Sequence, residues 1–256
     1  MKVTAIASGS SGNCFYVENE KSAVLIDTGI SAKKINLRMN ELKLNPRKIK
    51  GIFLTHEHVD HIRGTDVFAR QLNIPIYATN GTAKNGFLCS NEELINVIGK
   101  NENINIGGLE VEAFEKNHKA NEPVSFSIKE KNKVVSVITD VGVACKNVNE
   151  RIGMSNFLFL ESNYDPKMLE NGPYPYFLKK WVSGDTGHLS NSQAGLAVLE
   201  HFHARLKNVI LSHISKNNNT PQVALKSFKK IIKERKDFSA HLGVSIADYP
   251  TEIFKI

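Results

Sequence analysis

Directly after a short apolar run, Gly51-Ile52-Phe53-Leu54, the chain reads Thr55-His56-Glu57-His58-Val59-Asp60-His61, and a helix-like segment follows. Four side chains able to ligate a metal stand within six residues, His56 to His61. A single histidine at a strand end is commonly structural; this clustering is not. A loop between strand and helix can splay its side chains in several directions. His56 and His58 could therefore meet one cation while Asp60 and His61 meet a second. Neutral imidazole together with carboxylate suits Zn²⁺, Mn²⁺ or Fe²⁺.

The surrounding pattern predicts strands at Lys2–Ala7, Cys14–Glu18 and Ala23–Ile26, separated by turn residues Gly9, Gly12 and Asn19. Ser31 reads as the N-cap of a helix through about Leu42, with Ile35, Met39 and Leu42 on one face. Gly51–Leu54 and Pro75–Ala78 read as strands. His61–Leu72 reads as one helix, with Ile62, Val67, Phe68 and Leu72 apolar. Hairpin signals follow in Leu109–Phe114 and in Val124–Ile128 with Val134–Thr139. Beyond Asp140 come strand Phe157–Leu160, helix Gln193–His203, strand Asn208–Leu211 and helix Pro221–Lys233. The last has proline in its first turn and Ala224, Phe228, Ile231 and Ile232 on one face. Two halves of strands followed by helices predict an α+β fold, a four-layer αββα sandwich, formed by a single domain over residues 1–256.

Composition narrows the class. Hydrophobic residues are 41% of the chain, enough for a sizeable core, yet no run approaches the roughly 20 apolar residues of a membrane helix. The N-terminus reads straight into a strand, with no signal-peptide pattern. Three widely spaced cysteines, Cys14, Cys89 and Cys145, give no disulfide framework and fit free thiols in the cytoplasm. A net charge of +7 suits a polyanionic partner, although solvated lysines alone would give the same balance.

The HxHxDH stretch resembles the signature of the metallo-β-lactamase superfamily, and the other motifs of that superfamily occur in order along nearly the whole chain. Asp27 in Leu25-Ile26-Asp27-Thr28-Gly29 matches the aspartate that supports the ligands by hydrogen bonding. His118, Asp140 and His213 match the remaining ligands. The resemblance implies two divalent metal ions. His56, His58 and His118 would hold one, and Asp60, His61 and His213 the other. Asp140 and a hydroxide would bridge them. Asp60 and Asp140 thereby count as catalytic, with no protein nucleophile required, so Cys14 reads as a core residue. His201, His203 and His241 match no motif and read as surface or packing residues.

Departures from other branches sort the substrate. Many β-lactamases place Cys or Ser where Asp140 stands, and flavo-diiron enzymes place an acidic residue where His58 stands. Asp140 follows His118 by 22 positions, too few for the tRNA-clamping arm of common bacterial RNase Z. The 73 positions from Asp140 to His213 are already filled by a strand, a helix and loops, leaving no β-CASP insertion.

Three stretches resemble the WalJ/YycJ-type subgroup: Ala7-Ser8-Gly9-Ser10-Ser11-Gly12-Asn13-Cys14, Leu160-Glu161-Ser162-Asn163-Tyr164-Asp165 and Gly187-His188-Leu189-Ser190-Asn191. Ser212-His213-Ile214-Ser215 with Asn217-Asn218 adds to them. That resemblance implies a 5′-to-3′ DNA exonuclease, with duplex DNA ends as partner and DNA repair as setting. An RNA-processing nuclease and a small-molecule phosphodiester or thioester hydrolase stand as alternatives. Ser8, Ser10, Ser11 and Asn13 lie in a polar, Gly-rich turn that either presents donors to a phosphate or is an ordinary hairpin turn. His188, in a polar turn able to leave its ring mobile, resembles a histidine that protonates the leaving oxygen and contacts phosphate. Ser190 and Asn191 read as a helix N-cap, and Asn217–Asn219 as a loop leading into a helix.

Overall fold

The structure is a computed structural model describing residues 1–233 and 235–256. Its strands form two seven-stranded sheets, ordered β14-β1-β2-β3-β4-β5-β6 and β13-β12-β11-β10-β9-β8-β7. The first sheet holds β1 Lys2–Ala7, β2 Cys14–Glu18, β3 Ala23–Ile26, β4 Ile49–Phe53, β5 Ile76–Thr79, β6 Ile95–Ile98 and β14 Phe254–Lys255. The second holds β7 Asn103–Ile106, β8 Leu109–Glu115, β9 Val124–Glu130, β10 Lys133–Ile138, β11 Phe157–Glu161, β12 Asn208–Ser212 and β13 His241–Val244.

Central strands are buried on both faces, which is why they read as continuous apolar runs rather than alternating ones. In β2, Phe15 and Val17 enter the core between the sheets, whereas Cys14 and Tyr16 enter the outer one. In β11, Phe157 and Phe159 face the first sheet across the same core, and Leu158 and Leu160 turn outward. Helices α1 Ala32–Glu41 and α3 Thr65–Leu72 cover the first sheet through Ile35, Met39, Phe68 and Ala69. Helices α5 Lys146–Met154, α8 Asn191–His201 and α9 Pro221–Ile232 cover the second through Ile152, Val198 and Phe228. The result is the αββα sandwich. Short helices α2 Val59–Ile62, α4 Asn80–Asn85, α6 Pro166–Asn171 and α7 Tyr176–Val182 lie in connections.

The expected helix His61–Leu72 is two helices. Gly64 breaks it, because its N–H donates to the Thr28 carbonyl and a Cβ there would strike the Ile30 carbonyl. The break turns α2 into a single turn presenting Asp60 and His61. It also rotates the apolar face of α3 onto Phe68 and Ala69 and leaves Val67 exposed. Helix α8 begins two residues earlier than expected, on a capping box in which Ser190 and Gln193 satisfy each other's backbone N–H groups.

Strands β3 and β4 run parallel, as do β10, β11 and β12. Their carboxyl ends meet at one edge of the sandwich, the edge where open α/β sheets place ligands. Three residues that terminate strands there have left-handed backbone: Asp27 at φ 61°, Asp140 at φ 56° and His213 at φ 54°. Each such residue costs on the order of 1 kcal/mol or more, and sharp strand ends of this kind aim side chains at a functional site.

Candidate metal centre

The ligands expected from the sequence come together at this edge, in two clusters that share a side. In the first, His56 Nε2 and His118 Nε2 lie 3.0 and 3.4 Å from His58 Nδ1. His118 Nδ1 lies 3.1 Å from the Gly187 carbonyl, to which it donates, which turns the lone pair of Nε2 toward the cluster. Thr55 Oγ1 holds His56 Nδ1 at 2.9 Å. Burial pushes the His118 imidazole down to about 3, and pushes His56 well below the usual histidine range. Both rings are therefore neutral, the form that ligates metal.

Asp60, His61, Asp140 and His213 make the second cluster. His61 Nε2 is 3.5 Å from Asp60 Oδ2 and 3.1 Å from Asp140 Oδ2, and His213 Nε2 is 3.6 Å from Asp60 Oδ2. Asp140 Oδ1 also lies 3.8 Å from His118 Nε2, so this carboxylate stands between the clusters. Behind His61, Asp27 Oδ2 accepts from Nδ1 at 2.7 Å while Oδ1 accepts from the Thr55 N–H. The carboxylate–histidine pair fixes ring orientation and tautomer.

Glu161, given no role in the sequence reading, is the organising carboxylate of the second sheet. It is fully buried at the end of β11 and accepts from the backbone N–H groups of Asp140, Val141 and Leu189. It also holds His188 Nδ1 at 2.9 Å and His213 Nδ1 at 2.8 Å. Burial would raise its carboxyl, but His188 and His213 outweigh that and bring it down to about 2. A sequence signal existed: an ionisable residue closing the fully apolar run Phe157-Leu158-Phe159-Leu160. His188 is consequently held, not mobile. Among the described residues its Nε2 has no hydrogen-bond partner, and the ring lines a cleft of about 210 Å³ with His58, Asp60, Asp140 and His213.

The Gly-rich turn divides. Ser8 and Asn13 are fully buried, so the expected phosphate contact is corrected for both. Ser8 Oγ accepts from the His213 N–H at 2.9 Å, and Asn13 Nδ2 lies 3.2 Å from His61 Nε2. They brace the ligand loops. Ser10 is exposed and lines the cleft; Ser11 is half-buried and gives its carbonyl to Arg63. Asn219 is buried, bridging the Ser162 and Asn163 carbonyls to Asn191, a structural tie rather than a free loop amide. His201, His203 and His241 belong to neither ligand cluster. Cys14 is buried and its thiol pushed up by burial, which makes it inert.

Gly29 shows how closely the loops pack. Its N–H donates to the Asn13 carbonyl, and a Cβ there would strike the Asp60 carbonyl. Gly29→Ala is expected to displace the Asp60 turn and to cost at least about 1–3 kcal/mol, the range of a core overpacking change. Denaturant midpoints and metal content of the variant check this; an unchanged midpoint with full metal content would contradict it.

The donor set fits divalent metal ions. Asp140 Oδ2 and His213 Nε2 are buried without a hydrogen-bond partner among the described residues. Buried polar atoms are rarely left so unless something else satisfies them. Around them converge ring nitrogens and carboxylates, with His56, His61, His118 and His213 steadied from behind by Thr55, Asp27, the Gly187 carbonyl and Glu161.

Comparison with known proteins gives the family and matches the fold. Residues 22–214 match the family model of the beta-lactamase superfamily domain, and the chain belongs to the metallo-β-lactamase superfamily. Within it the chain belongs to the WalJ/YycJ-type metallohydrolases. It is 32% identical over 237 residues to exodeoxyribonuclease YycJ of Bacillus anthracis, covering 91% of this chain and 89% of that protein. It is 33% identical over 230 residues to exodeoxyribonuclease WalJ of Streptococcus pneumoniae, covering 87% and 85%. The fold matches Zn²⁺-bound PqqB of Methylobacterium extorquens with TM-score 0.72 at 15% identity, over 98% of this chain and 100% of that one. Among the described residues, no helix is long and apolar enough to cross a membrane.

Proposed function

We propose that this protein is a dinuclear-metal phosphodiesterase that removes nucleotides from DNA ends in the 5′-to-3′ direction. The observation carrying the reading is the pairing of two convergent ligand clusters, with Asp140 between them, and a cleft-lining His188 held by Glu161. The exodeoxyribonucleases that the chain resembles along most of its length supply the substrate class. His56, His58 and His118 would hold one cation and Asp60, His61 and His213 the other, with Asp140 between the two clusters. Bound there, two divalent cations such as Zn²⁺ or Mn²⁺ supply a hydrolytic nucleophile near neutral pH and offset the charge growing on a phosphodiester oxygen. Asp27 and Glu161 keep the ligand rings oriented. His188, steadied through Nδ1 by Glu161, delivers a proton from Nε2 to the leaving oxygen. Ser10, at the cleft mouth, contacts the phosphate. Residues 1–256 act as one domain, since both sheets contribute ligands. Action on DNA ends fits DNA repair, and three free cysteines fit the reducing cytoplasm.

Purified protein is to be incubated with 5′-labelled duplex DNA, a tRNA precursor and a chromogenic phosphodiester, with and without Mn²⁺. Mononucleotide release from the DNA is expected to be fastest. Cleavage confined to the tRNA precursor would make the protein an RNA-processing nuclease, and cleavage confined to the small ester would make it a small-molecule hydrolase.

The net charge of +7 adds a second expectation, because cationic side chains that contact phosphates release condensed counterions. For about four phosphate contacts, affinity for duplex DNA should fall on the order of 10²-fold between about 50 and 200 mM salt. Fluorescence anisotropy across that range measures it. A flat dependence would favour a small substrate.

A further inference from the structure

Between Glu161 and His188 the chain builds an appendage on the sandwich. Helices α6 and α7 pack on each other around Tyr164, Leu169 and Val182, apart from the main cores. One side of α7 contributes Leu178, Trp181 and Val182 to the cleft that holds the ligands. The Trp181 ring lies 5.5 Å from that of His188 and 6.5 Å from that of His118, centroid to centroid. Its indole N–H is buried with no hydrogen-bond partner among the described residues, while the residue lines the cleft wall.

Away from the cleft the same helix presents side chains that contribute little to folding. Tyr176 is 71% and Phe177 73% exposed, two large aromatic rings side by side in a helix of seven residues. The Lys180 ammonium stands 5.0 Å from the Tyr176 ring centroid. Tyr176, Lys179 and Lys180 line a groove against Leu169 and Pro166 of α6. Exposed aromatic rings interleaved with lysine are what a single nucleic-acid strand binds: every base has a face to stack, and each phosphate seeks a cation. Lys179 Nζ is given to the Glu170 carbonyl, so a purely apolar partner would leave Lys180 unmatched, and a purely anionic one would leave the rings bare.

We propose that α7 guides the DNA strand undergoing digestion, with unpaired bases stacking on Tyr176 and Phe177 while Lys180 meets the phosphate between them. Trp181, one turn on from Phe177 along the same side of the helix, meets the nucleotide inside the cleft with its ring. The strand thereby reaches the ligands already single-stranded and extended along one short helix. This inference rests on the DNA-end reading above and adds to it where the strand runs and what holds it.

The test compares wild type, the Tyr176→Ala/Phe177→Ala double variant and the Tyr176→Phe/Phe177→Tyr variant on single-stranded oligonucleotides of 2 to 20 bases. In wild type kcat/KM rises with length until the strand spans α7. In the Ala double variant that rise is expected to be lost, with long-strand affinity roughly 5- to 150-fold weaker for each ring removed. The exchange of Phe and Tyr, which keeps both rings, should retain it. Both positions are solvent-exposed, so thermal melting should match wild type and folding does not confuse the outcome. If the Ala variant keeps the wild-type length dependence, the proposal is wrong. So too if its only change is a shift from dimer to monomer in sedimentation, or loss of adsorption to lipid vesicles. Wild type that cuts the labelled duplex but no single-stranded oligonucleotide would also overturn the proposal, whereas wild type that cuts neither would sink the nuclease reading, which keeps the two failures distinguishable.

Discussion

Asp140→Asn is expected to reduce phosphodiester hydrolysis by at least about 10²–10³-fold, the loss seen when one preorganised charge-stabilising group is removed from an active site. Asparagine is the informative replacement. Asp140 sits at φ 56°, a left-handed conformation that asparagine tolerates far better than alanine. Its backbone N–H bond to Glu161 is independent of the side chain. The variant thus keeps the fold and the shape of the site but loses the charge that faces both ligand clusters. Asp60→Ala and His58→Ala, where the backbone is unstrained, should behave similarly. Circular dichroism, metal content and rate are to be measured on one preparation. A folded Asp140→Asn protein with wild-type turnover would remove Asp140 from the mechanism.

His188→Ala is expected to lower kcat on DNA by about 10²–10⁴-fold, the range for a lost general acid, with metal content unchanged. The reason lies in the Glu161 pair. With Nδ1 given to Glu161 at 2.9 Å, the ring offers only Nε2 to the cleft. A nitrophenyl phosphodiester, whose leaving group needs little protonation, should lose far less than DNA does. Glu161→Gln provides a partner test, since it weakens the hold on His188 and His213 together and should therefore disturb metal retention as well as the acid step. Loss of a metal ion in His188→Ala would make His188 a ligand. Equal losses on the two substrates would deny it the acid role.

The convergence of the candidate ligands was legible because metal chemistry leaves short, ordered motifs. His56 to His61, His118, Asp140 and His213 each follow a strand, and the structure gathers them at one edge. The αββα layering was legible for a related reason: strands buried on both faces show as unbroken apolar runs. What the sequence hid was the direction of local polar groups. Ser8 and Asn13 stand in a turn that looks able to greet a phosphate, yet the close approach of Gly29 to Asp60 draws that turn inward, where Ser8 Oγ accepts from the His213 N–H and the Asn13 amide meets His61. Glu161 was hidden because its five donors come from three separate stretches, which only the parallel pairing of β10, β11 and β12 brings together. The split between α2 and α3 was hidden because Gly64 within an apolar helical pattern reads as tolerated, and only the contact with Ile30 makes it a break. Short strands β6, β7, β13 and β14 and the appendage α6–α7 carry too few apolar residues in register to show a period.

The central claim, metal-dependent removal of nucleotides from DNA ends, is tested most directly by stripping and reloading. Protein freed of metal with a chelator, and verified so by elemental analysis, is to be mixed with a duplex labelled at one 5′ end, before and after addition of Mn²⁺ or Zn²⁺. The account predicts an intact duplex without metal. On reloading it predicts early release of the label as a mononucleotide, with two ions bound per chain. Cleavage that persists in the stripped protein, or reloaded protein that leaves DNA whole while hydrolysing a small phosphodiester, would contradict it.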